Sequence, residues 1–76
     1  MTEEQEMDAL IKEARKICHD INQPLTVIMA RSELLLLKLK DDDPNYKSVT
    51  QIHEQAELLS NRIEELRALF KGVSGE

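Results

Sequence analysis

The stretch His19-Asp20-Ile21-Asn22-Gln23-Pro24-Leu25 gathers an imidazole, a carboxylate, two amides and a proline within seven residues. Histidine changes protonation near neutral pH and serves as nucleophile, proton carrier or metal ligand. A carboxylate beside it can fix the tautomer of the ring and stabilise the cation formed when the ring attacks an electrophile. Proline inside a helix costs about 3 kcal/mol and leaves the carbonyl four residues back, that of Asp20, without its partner. The resulting bend falls within a turn of His19 and predicts an accessible ring. Cys18, His19, Asp20 and His53 are all of metal-ligating type, but no metal site is expected. A hairpin turning near residue 42 sets His19 opposite about Glu65 and His53 opposite about Arg31, roughly 18 Å apart at 1.5 Å rise per residue. His53 then reads as a flank residue of a second helix, and Cys18 as a small buried core residue.

The elements that carry this cluster are legible from apolar periodicity. Met7, Ala14, Ile21, Ile28 and Leu35 form one register, with Ile11, Cys18, Leu25, Ser32 and Leu39 between them at alternating steps of four and three. That is a heptad seam on a single helix. Thr2 followed by Gln5 is a capping-box pattern, and the acids that follow Thr2 suit the positive end of a helix dipole. The first helix is therefore expected over about 3–40, bent at Pro24. The run Asp41-Asp42-Asp43-Pro44 interrupts the pattern, giving a loop at about 41–43 in which Asp43 caps a second helix and Pro44 fills its first turn. In that helix, expected over about 44–71, Val49, Ala56, Ile63 and Phe70 alternate with Ile52, Leu59 and Leu66 until Gly72 and Gly75 end the pattern in a short tail.

Composition narrows the class further. Tyr46 and Phe70 are the only aromatic residues, and both glycines lie near the C-terminus, which leaves little material for strands. The expected fold is all-α, an antiparallel helical hairpin forming one domain over residues 1–76. A chain of 76 residues holds a core worth only about 3–5 kcal/mol without disulfides, metal or association. Two hairpins packed as a four-helix bundle would bury both seams, so a homodimer is expected. The net charge of -5, with acids clustered at both ends of the first helix, argues against a nucleic-acid partner. One free cysteine and the absence of a signal-like or membrane-length apolar run point to a cytoplasmic chain without direct membrane contact.

The segment from His19 to Leu25 resembles the H-box of sensor histidine kinases, in which a histidine is followed by an acid and, five residues on, by proline and leucine. The long first helix, short loop and seamed second helix resemble the dimerisation and histidine phosphotransfer domain of that family over nearly the whole chain. The resemblance implies that His19 accepts the γ-phosphoryl group of ATP, that Asp20 orients or deprotonates the ring, and that the group then passes to an aspartate of a response-regulator receiver domain. Gln23 stands where threonine or asparagine is common in the family, a position that helps hydrolyse the phosphorylated partner. Gln23 is thus a candidate for positioning water in a phosphatase step.

No glycine-rich nucleotide loop or other ATP-binding box is present in the sequence, so the chain is expected to bind no cofactor itself. The resemblance implies that ATP and Mg2+ come through a separate catalytic domain of the same two-component kinase, and that the fragment alone does not autophosphorylate. Val27, Ala30, Leu34 and Leu37 form a second apolar stripe on the first helix, away from the seam and below Gln23. Exposed apolar patches often mark binding surfaces, and the resemblance implies a receiver docking there, with Val27 and Ala30 in its footprint. The competing expectation is a purely structural dimerisation module without phosphotransfer. Asn22 is assigned no role.

Overall fold

The computed structural model describes residues 2–74. Two helices, α1 (Glu3–Lys38) and α2 (Tyr46–Ser74), account for all the regular structure among them. They pack antiparallel into a rod of 60 × 16 × 16 Å. α1 begins where the sequence places it: the Thr2 hydroxyl accepts from the Gln5 N–H at 3.2 Å and the Gln5 side chain accepts from the Thr2 N–H at 3.0 Å. Two amides that the first turn would leave unpaired are thereby satisfied. α1 continues unbroken through Pro24.

The boundaries at the connection differ from the sequence expectation. α1 ends at Lys38 rather than near 40; Leu39 turns extended, its N–H held by the Leu35 carbonyl at 2.9 Å. The three aspartates that follow would lie at the negative end of the helix dipole, where acids are unfavourable. α2 begins at Tyr46 rather than 44, because Pro44 and Asn45 belong to the turn. The Asp43 carboxylate takes the Asn45 N–H at 2.8 Å, the Asp43 carbonyl takes the Tyr46 N–H at 3.0 Å, and the Asn45 carbonyl receives the Val49 N–H. Asp43 thus organises the lead-in, one turn before the helix proper. At the other end α2 passes Gly72 and reaches Ser74 rather than stopping near 71. Gly72 stands in open space with nothing to force a turn, and a helical glycine costs only about 1 kcal/mol. Gly75 lies outside the described residues.

Only half of the expected seam is covered within one chain. Cys18 and Leu25 of α1 pack with Ala56 and Ile63 of α2 in one buried cluster, with Met29 alongside, and Ile11 and Ser32 of the same α1 register are also buried. The other register, Met7, Ile21, Ile28 and Leu35 with Ile52, Leu59 and Leu66, remains exposed by 43–54%. Fully burying a large aliphatic side chain stabilises by about 1.5–3 kcal/mol, and the buried set holds three of these: Ile11, Leu25 and Ile63. The exposed register lines an open apolar groove between the helices, walled by Leu25, Ile28, Ile52, Ala56 and Leu59.

Candidate functional site

His19 lies on the exposed surface of α1 directly after buried Cys18, a placement set by the helical period. One turn on, the Gln23 side-chain nitrogen Nε2 sits 3.2 Å from His19 Nε2. The Gln23 amide is thus within hydrogen-bond reach of the ring, the direction of the bond being set by the ring's tautomer. Gln23, singled out from sequence for its place four residues after the histidine, meets the ring at Nε2.

Asp20 is exposed and makes no hydrogen bond or ion pair among the described residues. Neighbours in a helix point about 100° apart, so the carboxylate does not face the ring by default. Pro24 is exposed as well. Val27 is 58% exposed, and Ala30, Leu34 and Leu37 share the same open side of α1. The structure thus brings together His19 and Gln23, leaving Asp20 adjacent and the Val27–Ala30 stripe uncovered below them.

Asn22, given no role from sequence, is half-buried and fastened to α2. Its amide donates to Glu64 Oε1 at 3.0 Å, and its Oδ1 accepts from the Ser60 hydroxyl at 3.1 Å. Its backbone carbonyl accepts from the Thr26 hydroxyl at 2.9 Å. Glu64 Oε1 is also held by Arg67 Nη1 at 3.0 Å. Further along the rod the Ser32 hydroxyl donates to the Met29 carbonyl at 3.0 Å and lies 2.8 Å from His53 Nδ1. On the other side of the ring, His53 Nε2 faces Glu57 at 3.5 Å and Glu33 at 3.9 Å. His53 is thus an interhelical tie rather than a flank residue. Among the described residues no group of three His, Cys, Asp or Glu side chains is placed to hold a metal. No helix among them is long and apolar enough to cross a membrane.

Residues 3–75 match the family described as "His Kinase A (phospho-acceptor) domain". A curated relative, "Sensor kinase CckA" of Brucella abortus (strain 2308), is 32% identical over 71 residues, covering 93% of this chain and 8% of that protein's length. No solved structure matches the chain. By this match the chain, a helical hairpin, belongs to the His Kinase A (phospho-acceptor) family.

Proposed function

We propose that His19 is the phosphoacceptor of a sensor histidine kinase and that residues 1–76 serve as its single dimerisation and phosphotransfer domain. The carrying observation is the exposed position of His19 on α1, with the Gln23 amide 3.2 Å from its Nε2. In the forward step the Nε2–P bond forms as the bond from the γ-phosphorus to the ADP oxygen breaks. The ring proton stays on Nδ1 or passes to Asp20, whose carboxylate offsets the charge that develops on the imidazole. The phosphoryl group then leaves Nε2 for a carboxylate oxygen of a receiver-domain aspartate. Pro24, one turn past the histidine, leaves the Asp20 carbonyl without its helical partner beside the reacting ring. ATP and Mg2+ are brought by a separate catalytic domain, since phosphoryl transfer depends on positioning and metal-assisted charge stabilisation. Gln23 positions water when the phosphorylated receiver is hydrolysed.

Two such hairpins pair through the exposed register of Ile21, Ile28, Leu35, Ile52, Leu59 and Leu66, closing the groove between the helices in a four-helix bundle. The receiver docks on the opposite side, over Val27 and Ala30. The domain works in the cytoplasm, where ATP is available. The test supplies the chain with Mg-ATP and a separately expressed ATP-binding domain of the same kinase class. An acid-labile, base-stable phosphate is expected on the native chain and absent from His19→Ala and His19→Gln. Circular dichroism and sedimentation confirm that each variant is folded and paired. No label on the folded, paired native chain would leave only a structural dimerisation module, and label that persists without His19 would move the acceptor elsewhere.

A further inference from the structure

Pro24 deprives the Asp20 carbonyl of its helical partner, so the turn that carries Asp20 to Gln23 has one fewer internal bond than the rest of α1. That same turn is tied to α2 by Asn22. Both polar ends of the amide are engaged, one by Ser60 and the other by Glu64, and Glu64 is itself braced by Arg67. The tie lies three residues from His19, on the α2 side of the turn, while the imidazole stays on the surface. The weakest turn of α1 is therefore held in register from outside the helix, at the level of the reactive ring.

From this juxtaposition we infer that Asn22 is a positioning residue for phosphotransfer: through Ser60 and Glu64, α2 sets the attitude in which α1 presents His19 to its phosphoryl donor. The inference rests on the reading of His19 as phosphoacceptor. Asn22 makes no hydrogen bond to the ring and takes no part in the chemistry. It fixes the turn on which the ring is mounted, and small misplacements of a reacting group are costly in rate.

The experiment measures ATP-dependent labelling with the separate ATP-binding domain, alongside labelling by phosphoramidate, a small donor that needs no docking. Asn22→Ala is expected to lower kcat with ATP about tenfold while leaving KM for ATP and the phosphoramidate rate within about twofold. Glu64→Gln keeps an acceptor for the Asn22 amide and is expected to retain the native rate. Asn22→Ala combined with Ser60→Ala is expected to be no slower than Asn22→Ala alone, because the two act through one link. Ser60→Ala, a small trim of a half-buried hydroxyl, gives the same reading at smaller amplitude if Asn22→Ala loses helix content. An ATP rate within twofold of native in both Asn22→Ala and Ser60→Ala, with His19→Gln silent, overturns this inference alone. A fall in the ATP and phosphoramidate rates together overturns it too, by showing general loosening of the hairpin. Label persisting in His19→Gln instead overturns the acceptor assignment on which it stands.

Discussion

In the proposed reaction His19 Nε2 attacks phosphorus, and the Gln23 amide lies 3.2 Å from that same atom. Gln23 has to swing aside before transfer and is then free to hold water near the site of phosphoryl chemistry. Replacing Gln23 by alanine is expected to leave His19 labelling intact or a few-fold faster, and to slow dephosphorylation of a receiver by about tenfold. Decay of the phosphorylated receiver after mixing checks this, and unchanged decay would remove the hydrolytic role. His19, Asp20, Gln23 and Pro24 are legible in the sequence because they form one contiguous motif on one helix. Asn22 is not, since its partners Ser60 and Glu64 lie 38 and 42 residues away. Periodicity indicates which faces meet but not which hydroxyl meets which amide.

Each helix shows a different balance between local and tertiary signals. The capping box of α1 was readable because both of its bonds are local, and Thr2→Ala is expected to cost about 1 kcal/mol, measured by urea unfolding. The start of α2 was misjudged because Pro44 suits a first helical turn but equally suits the tight turn that Asp43 organises here. Heptad spacing picks out the register that is buried here, Ile11, Cys18, Leu25 and Ser32 with Ala56 and Ile63. Which of the two registers lies inside the single hairpin is not legible from spacing, because both are largely apolar and only the packing of α2 decides between them. Ser32 shows the same limit: its seam position is plain from spacing, yet its buried hydroxyl and its bond to His53 depend on the register of the two helices. Ser32→Ala removes the hydroxyl that bonds His53 Nδ1 and is expected to destabilise the hairpin by about 1–2 kcal/mol, read from the shift of the urea midpoint.

At the level of the whole molecule, a 60 Å rod presents two apolar stripes, and they should respond to different substitutions. Ile28→Glu with Leu59→Glu places charge in the groove and is expected to give monomers by sedimentation equilibrium and to abolish the concentration dependence of Tm. Val27→Glu with Ala30→Glu is expected to leave pairing and His19 labelling intact and to slow transfer to the receiver about tenfold or more, followed by loss of label from the chain. Receiver transfer that survives both charges would move the docking surface elsewhere. The all-α hairpin was foreseeable from heptads, two prolines and a scarcity of aromatics.

The histidine occupies a different side of α1 from the groove-lining residues Leu25 and Ile28. If pairs form through the groove as proposed, a copy stripped of its imidazole keeps the surface with which it recognises a sibling. In a cell making both kinds, inert copies would sequester working ones in mixed pairs, so a loss-of-function allele at position 19 should act as a poison rather than as a silent absence.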